Sequence, residues 1–484
     1  MSSWPPAAKP TRSSSSSCRP ESAPPTVGSS RTVGTERSEA GASRVFRGAG
    51  GDAGAPSVEP LPSPASARPR RFIVAHWVRR RPRRPPPKAA FRLRRPSGRL
   101  LSPAAVAMLL SLACAGPPSP EAASTVTETE HLFQQRLDEL RAELGFIGAT
   151  AAFVLPDGSE GVAATGYADP ENHLPMTPEN RMPAGSIGKT IAATTALSMV
   201  NEGLLGLDDL ASRWLGDEPW WTRLPNHETM TLRHLLSHSS GLTDHVYDEA
   251  WRAEARSRRG PAGDPDAWFE PRDLVQYVLD REPLFPAGEG YAYTDTGYLV
   301  AGLIMEAASG GAYYDEARRR VLDRHDLPRT VEQIGRTFPD LAPGHVGEDN
   351  PFSLPARTAE GDVMAFSPQT EWTGGGYVSN SRDLARWAKI LYEERAIDGP
   401  YLEEMLNSGY RGDDAGATYG LGVYRADSPH GELIGHGGWF PGWRSTMYYH
   451  RDSGIAVAVQ FNQNELDFRN EVRDALLALL LEQH

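Results

Sequence analysis

The stretch that decides the fold is Pro183-Ala184-Gly185-Ser186-Ile187-Gly188-Lys189-Thr190, which opens a long apolar run. The run predicts a helix from Ser186 to Glu202, closed by Gly203 and buried because apolar residues go nearly all the way round. A serine and a lysine three residues apart at the start of a helix share one face, so the amine can reach the hydroxyl. The helix N-terminus also favours negative charge at the serine. The stretch therefore predicts a nucleophilic Ser186 served by Lys189.

Composition narrows the chemistry of this part of the chain. From Met108 onward there are only two lysines, Lys189 and Lys389, so a lysine three residues after a given serine has a chance of about 2 in 377. The alternative, an N-cap serine followed by an exposed lysine, fits a solvated helix better than this apolar one. No cysteine follows Cys114, which excludes a thiol nucleophile, a cysteine zinc site and a disulfide scaffold in the folded part.

Competing motifs overlap the decisive stretch or lie near it. Gly188-Lys189-Thr190 imitates the end of a phosphate-binding loop, but Pro183 stands where that loop needs glycine. A G-x-S-x-G elbow fails because Ala184 occupies its first glycine position. His234 and His238 have the spacing of two metal ligands on a helix, but no acidic residue completes an H-E-x-x-H pattern, so structural histidines are favoured and no metal is expected.

The chain divides into two kinds of polypeptide. Before Met108 there are 20 Lys and Arg against 5 Asp and Glu, whereas from Met108 on the balance is 30 against 57. Residues 1–99, with a serine tract at Ser13–Ser17 and an Arg/Pro cluster at Arg79–Pro87, lack periodicity and are predicted to be disordered. An arginine-rich tail can bind nucleic acid, but no nucleic-acid motif or aromatic platform accompanies it, so no nucleic-acid partner is expected.

Residues 100–116 read like a secretory signal. Basic residues over Arg92–Arg99 precede an apolar run too short to span a bilayer, which ends in small residues at Ala113-Cys114-Ala115. Cys114 also resembles a lipoprotein cleavage site and, if lipidated, would attach the protein to a membrane. We expect the physiological protein to begin near this segment and to be exported as a periplasmic, secreted or lipid-anchored protein, with residues 117–130 as a linker.

The acidic part, residues 131–484, is predicted to form one domain. Strands near both ends with helices between them indicate one sheet interrupted by a helical insertion at roughly residues 186–345. The predicted flanking elements are a helix over His131–Leu144, a hairpin of Ala149–Leu155 and Gly161–Tyr167, strands over Ser445–Tyr449 and Ile455–Phe461, and a helix over Asp467–Glu482.

Further stretches occur in an order and spacing that, together with Ser186-Ile187-Gly188-Lys189, resemble the serine β-lactamase and penicillin-binding protein superfamily. The closest branch looks like the class C β-lactamase, D-alanyl-D-alanine carboxypeptidase and esterase group. The resemblance covers roughly Leu132 to Leu481 and implies a β-lactamase/transpeptidase-like α+β fold, an antiparallel sheet flanked by terminal helices with an all-helical insertion. The matching stretches are Phe285–Glu289 with Tyr291–Tyr298, Gly435–Trp439, His234–Leu242 and Gly374–Leu384.

The resemblance implies a role for each residue of the motifs. Ser186 would form an acyl-enzyme, with Tyr293 and Lys189 sharing the proton transfers. Backbone N–H groups of Ser186 and Trp439 would form the oxyanion hole. His436 stands where the family has Lys or His and would help to hold substrate.

Glycines beside that strand would leave room for the substrate. Gly437 and Gly438 are the small residues that would line it.

One residue departs from the family pattern. The middle motif usually reads Tyr-x-Asn, but this chain has Asp295 in place of the amide. A carboxylate near Lys189 favours the ammonium form, so we expect Lys189 to stay charged and Tyr293 to act as the base. Asp295 is also a predicted substrate-binding residue. With His436 only partly charged at pH 7, it favours a neutral ester, an amide or an amino-bearing substrate.

These observations predict an exported serine hydrolase acting on a small-molecule or peptide substrate without a metal or organic cofactor. Carboxylesterase and D-amino-acid peptidase remain close alternatives, followed by β-lactamase or D-alanyl-D-alanine carboxypeptidase proper. An alternative of another class is a catalytically inactive family member that serves as a binding module. Asp295 keeps that alternative open.

Overall fold

The structure is a computed structural model that describes residues 120–259, 263–348, 350–408, 410–411, 417–465 and 467–484. The segments predicted as disordered (1–99) and as a secretory signal (100–116) lie outside the described residues. The linker predicted for residues 117–130 is wrong from Pro120 onward, where a helix begins. Proline is tolerated in the first turn of a helix because its missing N–H would be unpaired there, and Glu121-Ala122-Ala123 then favour helix.

The described residues form 14 β-strands and 11 α-helices. The strands are β1 (Gly148–Val154), β2 (Glu160–Asp169), β3 (Leu174–Pro175), β4 (Met182–Pro183), β5 (Val331–Glu332), β6 (Ala359–Glu360), β7 (Val363–Met364), β8 (Tyr377–Ser379), β9 (Tyr410–Arg411), β10 (Thr418–Tyr419), β11 (Tyr424–Ser428), β12 (Gly431–Phe440), β13 (Trp443–His450) and β14 (Ile455–Phe461). The helices are α1 (Pro120–Leu144), α2 (Gly188–Asn201), α3 (Ser212–Leu215), α4 (Leu232–Leu236), α5 (Glu249–Arg259), α6 (Pro271–Val275), α7 (Asp295–Ser309), α8 (Tyr313–Arg320), α9 (Ser381–Tyr392), α10 (Leu402–Asn407) and α11 (Arg469–Gln483).

Nine of these strands build one antiparallel sheet in the order β3-β2-β1-β14-β13-β12-β11-β10-β9. The predicted hairpin (β1 and β2), the two C-terminal strands (β13 and β14) and the last helix (α11) are confirmed. The N- and C-terminal strands β1 and β14 pair side by side, from Ala149 opposite Phe461 to Val154 opposite Ala456. The ends of the domain therefore close the centre of the sheet, as an interrupted sheet requires.

Helices cover both faces of the sheet, which gives the predicted α+β architecture. One face packs against α1 and α11, the two terminal helices, through apolar side chains that include Phe133, Leu137, Val472 and Leu476. The opposite face belongs to a larger apolar core shared with α2, α7 and α9. None of the helices among the described residues has the length and apolar character needed to cross a bilayer.

The insertion is longer than predicted. The chain leaves the main sheet after β3 and rejoins it only at β9, so α9 and α10 belong to the same excursion, and the predicted end near residue 345 is wrong. The missed part consists of short strands and turns without a long apolar period, followed by α9, which packs directly on β1 and β14. Local sequence patterns cannot show which of two layers such a helix joins.

The helix predicted from the decisive stretch is confirmed as α2, with Gly203 in the left-handed conformation (φ +75°) just beyond its end. A 3-10 turn at Gly185–Ile187 leads directly into it. The helix runs through the core, and even Lys189 is 0% exposed. The fit is close at Gly188, where an added Cβ would lie 1.6 Å from the carbonyl oxygen of Gly375.

Candidate active site

Three elements bring the predicted site residues together. The 3-10 turn before α2 carries Ser186, the loop before α7 carries Tyr293, and β12 carries His436. Strand β11 pairs with β12 only as far as Gly435. Beyond that point the 3-10 turn packs beside β12, so the nucleophile lies next to the stretch of strand that ends at Trp439.

Lys189 links two of these elements. Its Nζ lies 3.0 Å from Ser186 Oγ, as the spacing predicts, and 2.5 Å from Asp295 Oδ1, the first residue of α7. A third contact, 2.5 Å long, joins Nζ to the backbone carbonyl of Gly374. An ammonium has three N–H donors, so these three acceptors satisfy it completely. The carboxylate of Asp295 therefore contacts Lys189 directly, and its side chain is one quarter exposed (25%).

Tyr293 lies beside both members of the pair. The Nζ of Lys189 sits 4.9 Å from the centre of its ring, and its hydroxyl lies near Ser186. Burial, followed by the negative charge of Asp295, raises the pKa of Tyr293 well above its usual range. The phenol is therefore protonated in the resting site, which disfavours the base role predicted for it and suits donation of a hydrogen bond instead.

His436 is buried on β12 with both ring nitrogens engaged. Nδ1 lies 2.5 Å from the carbonyl oxygen of Gly437, so it carries the proton, and Nε2 accepts from the hydroxyl of Tyr419 at 3.0 Å. Burial, together with the charge of Lys189, lowers the pKa of His436 to about 3. The imidazole is neutral at pH 7, in contrast to the partial charge expected from the sequence, because the sequence does not show its burial.

Close backbone contact joins the nucleophile turn to β12. Gly185 has φ +55°, and a Cβ there would lie 2.7 Å from the backbone N of Trp439. A Cβ on Gly438 would lie 2.0 Å from the carbonyl oxygen of Ala184. Only glycine allows this approach, which places the backbone at Ser186 beside that of Trp439, the two predicted oxyanion donors.

Gly437 faces the other side of the sheet. A Cβ there would lie 2.8 Å from Nη1 of Arg469, which donates to the carbonyl oxygen of Gly438 at 2.9 Å. Arg469 is also paired with Asp467 at 2.7 Å. The two predicted substrate-binding glycines therefore lie on opposite faces of the sheet. The guanidinium of Arg469, behind Gly437, is already paired with Asp467.

The two histidines weighed as metal ligands do not share a helical face. His234 lies in α4, where its ring nitrogen accepts from the backbone N–H of Thr231 in a capping box. His238 lies beyond the helix with φ +56°, and its Nδ1 accepts from the backbone N–H of Thr294. Its ring packs 4.0 Å from that of Tyr293, between centroids. Across the described ranges, no group of three or more His, Cys, Asp or Glu side chains is arranged to hold a metal ion.

Two buried carboxyl groups near Lys189 escaped prediction. Asp244 accepts a hydrogen bond from the backbone N–H of Val246 (3.1 Å) and lies near the backbone N–H of Asp295. Glu371 accepts from the backbone N–H of Gly376 at 3.2 Å. Burial, reinforced by the charge of Asp295, raises the pKa of Asp244 to about 7, and burial raises that of Glu371 to about 8.

The carbonyl of Gly374 escaped prediction as well. The only signal in the sequence was the run Gly374-Gly375-Gly376, because an acceptor carbonyl and a buried acid carry no motif. The surroundings of Lys189 therefore combine three carboxyl groups with one lysine, whereas neither the neutral His436 nor the engaged Arg469 offers a free positive charge.

The fold and this constellation define a β-lactamase/transpeptidase-like protein with a Ser-Lys-Tyr site. Residues 133–482 match the Beta-lactamase family, so the chain belongs to that family, and the predicted superfamily is confirmed. The class C branch stays a prediction.

Curated relatives include penicillin-binding protein 4* of Bacillus subtilis (strain 168), which is 24% identical over 62% of this chain and 64% of its own length. They also include a D-aminopeptidase of Brucella anthropi, which is 26% identical over 64% of this chain and 55% of its own length. The chain thus spans less than two thirds of either relative.

Solved structures agree with the fold. The D-amino acid amidase from Ochrobactrum anthropi SV3, complexed with D-phenylalanine, superposes with a TM-score of 0.62 at 25% identity, covering 74% of this chain and all of the amidase. The D-stereospecific amidohydrolase from Streptomyces sp. gives a TM-score of 0.58 at 26% identity, covering 69% of this chain and 94% of that one. The predicted α+β fold is confirmed.

Proposed function

We propose that this protein is a serine hydrolase that cleaves an amide bond of a small substrate through an acyl-enzyme on Ser186. The observation that carries the proposal is the 3.0 Å contact between Ser186 Oγ and the buried Nζ of Lys189. Ser186 is partly accessible, whereas Lys189 is fully enclosed, so a substrate can reach the hydroxyl but not the amine. Such an arrangement activates a hydroxyl for nucleophilic attack.

Each remaining residue of the site then has a task. The serine oxygen attacks the carbonyl carbon, and backbone N–H groups of Ser186 and Trp439 stabilise the oxyanion. Tyr293 keeps its proton beside Ser186 and can offer a hydrogen bond to the leaving group. His436 is neutral, and its two ring nitrogens contact Tyr419 and the carbonyl oxygen of Gly437 rather than an anion.

The charges of the cleft support an amide substrate that lacks a carboxylate beside the scissile bond. β-Lactams and D-alanyl-D-alanine peptides carry such a carboxylate, and the described cleft offers no free cation to receive it. Asp295 instead suits a neutral or amino-bearing substrate. The names of the D-aminopeptidase and D-amino acid amidase relatives point the same way, so we favour amides of amino acids, with esters as a second class.

The test incubates the full chain separately with a fluorophosphonate, a penicillin, D- and L-phenylalanine amide, and a short-chain ester. We expect a fluorophosphonate adduct on Ser186 by mass spectrometry, turnover of the amides, and no stable penicillin adduct. Ser186→Ala, the matched control, should lose adduct and turnover. No adduct with any reagent would instead favour the binding module, and a stable penicillin adduct would favour a penicillin-binding enzyme.

We also propose export, supported by the basic and apolar pattern of residues 92–116. Mass spectrometry of the native protein should find an N-terminus near Ala113-Cys114-Ala115, with a lipid on Cys114 if it is anchored. A mature N-terminus near Met1 would contradict export through this segment.

A further inference from the structure

We infer that Asp295 is the terminal proton acceptor of the site: Ser186 passes its proton to Lys189 while Lys189 passes one of its own to Asp295. This inference rests on the proposed hydrolase function and adds a catalytic residue to it. It starts from the departure at this position, where the carboxylate of Asp295 replaces the usual amide. An amide cannot take up this proton at neutral pH, whereas a carboxylate can.

Lys189 has no other outlet for a proton. Its side chain is 0% exposed, so water does not reach Nζ. Its three contacts are the hydroxyl of Ser186, the carbonyl of Gly374 and the carboxylate of Asp295. Of these three acceptors the carboxylate is the most basic, so it is the one to which Lys189 would pass a proton while it takes the proton of Ser186. A charged Lys189 can therefore become a base only by transferring a proton to Asp295.

The other titratable groups around the serine are already engaged. Tyr293 holds its own proton because burial raises the pKa of its phenol. The Nε2 lone pair of His436 is occupied by the hydroxyl of Tyr419.

His238 is engaged in the same way. Its Nδ1 lone pair is occupied by the backbone N–H of Thr294, which leaves Nε2 as the buried nitrogen that carries its proton. Neither histidine thus presents a free lone pair to the serine.

Asp295 is held rigidly for this task. It is the first residue of α7, and its backbone N–H lies near the carboxyl group of Asp244. The preceding backbone N–H, that of Thr294, is bound by His238 at 3.2 Å. Oδ1 points at Lys189, whereas the side chain keeps one quarter of its surface exposed. The carboxylate can therefore receive a proton from the buried side and remain in contact with the cleft.

The step balances without a further reactant. The bond between Nζ and one hydrogen of Lys189 breaks as that hydrogen bonds to Oδ1 of Asp295, and the proton of Ser186 moves to Nζ. The serine oxygen uses its freed electron pair to bond to the carbonyl carbon, whose π electrons move to the oxygen. When the C–N bond breaks, the nitrogen keeps the pair and takes a proton from Lys189, and Asp295 returns its proton to Lys189.

The experiment measures the second-order rate of fluorophosphonate labelling of Ser186 in the full chain, which needs no knowledge of the substrate. Wild type is measured in mixtures of H2O and D2O. If two protons move together, the labelling rate depends on the deuterium fraction along a curve; if one proton moves, the dependence is a straight line.

Asp295→Asn removes the proton acceptor and keeps the shape of the side chain. Asp427→Asn, at an exposed position of β11, is the control for the loss of one negative charge. Asp295→Ala is measured with and without formate.

We expect a curved dependence for wild type and a rate at least about 100-fold lower for Asp295→Asn, the range of one acid–base group. Asp427→Asn should stay within about 2-fold of wild type, and formate should raise the rate of Asp295→Ala at least 10-fold. A straight line for wild type overturns the relay even if every Asp295 variant misfolds. An Asp295→Asn variant that is folded by circular dichroism and labels at the wild-type rate also overturns it. Wild type that does not label at all overturns the hydrolase proposal itself, which is a different result.

Discussion

Two lysines of the domain occupy similar surroundings but cannot do the same chemistry. Lys189 and Lys389 are both buried (0% and 4% exposed). Lys389 donates to the carboxylate of Glu393 at 2.6 Å and to the carbonyl oxygen of Gly454 at 3.0 Å, and its Nζ lies 6.0 Å from the centre of the Tyr449 ring. Lys189 has the same kinds of neighbours and one more, the hydroxyl of a serine.

The carboxylates differ as well. Glu393 also pairs with Arg395 at 2.8 Å, so two cations share it. Asp295 has Lys189 as its only ion-pair partner in the described part of the chain. The doubly paired carboxylate of Glu393 holds its lysine in place, whereas the singly paired carboxylate of Asp295 also keeps a quarter of its side chain exposed. The comparison shows that burial of a lysine beside an acid does not by itself mark a catalytic site.

The largest expected effect separates the two lysines directly. Lys189→Met should lower the rate of fluorophosphonate labelling at Ser186 by about 1,000-fold or more, because the serine loses the side chain that takes its proton. Lys389→Met should keep the labelling rate within about 2-fold and cost about 1 kcal/mol of stability, because Glu393 retains Arg395. Labelling rates and urea unfolding of both variants check this. Equal losses of activity would break the distinction.

A second prediction concerns the backbone that positions the serine of the active pair. Gly185→Ala should lower labelling by about 100-fold, because its Cβ would push the nucleophile turn away from the backbone of Trp439. Gly158→Ala is the matched control, since Gly158 also has positive φ (+89°) but no atom within 4 Å of the added Cβ. The control should lose about 1 kcal/mol of stability with normal labelling. Labelling of Gly185→Ala at the rate of the control would show that the added Cβ does not displace the nucleophile.

The excess of acid around Lys189 predicts a pH dependence of stability. Burial raises the folded-state pKa of Glu371 to about 8, above an ordinary value of 4.5. The folded protein therefore keeps a proton that the unfolded chain has lost, and stability falls as the pH rises from 4.5 through 8.

Glu371→Gln isolates this contribution. It should match wild type in urea unfolding near pH 5 and exceed it by about 1–3 kcal/mol at pH 8.5, because glutamine has no proton to lose. A constant difference between the two proteins across this range would contradict the assignment.

The smallest expected effect tests whether spacing alone makes a nucleophile. Arg386→Ser places a serine three residues before Lys389, which copies the spacing of the active pair. We expect no fluorophosphonate adduct at position 386, measured by peptide mass spectrometry in a Ser186→Ala background. Lys389 is already held by Glu393 and Gly454, so its amine is not available to a serine at position 386. An adduct at this position would show that spacing and a buried lysine suffice.

Much of the fold was readable because its signals are local. The terminal hairpin, α2, the two C-terminal strands and α11 follow from apolar periodicity and turn residues. The end of the insertion and the start of α1 at Pro120 were not readable. The end of the insertion depends on which layer of the fold α9 joins. The start of α1 depends on a polar helical turn that has no apolar periodicity.

The site divides in the same way. Ser186 and Lys189 lie on one helical turn, so their contact follows from spacing, and Asp295 was expected beside them from its place in the Tyr-x-Asn motif. The carbonyl of Gly374 was not predictable, because it depends on a backbone that includes φ +42° at Trp372. The acids Asp244 and Glu371 carry no motif either.

The sequence by itself determined which residues are available. They are one serine with one lysine a helical turn away, a tyrosine, a histidine on a strand, and an aspartate in place of an amide. Only the tertiary structure decided their charge states. Burial keeps His436 neutral and Tyr293 protonated, and enclosure leaves Lys189 a single route for a proton, through Asp295. The physical reason is that ionisation depends on desolvation and neighbouring charge, which distant parts of the chain supply when they pack together.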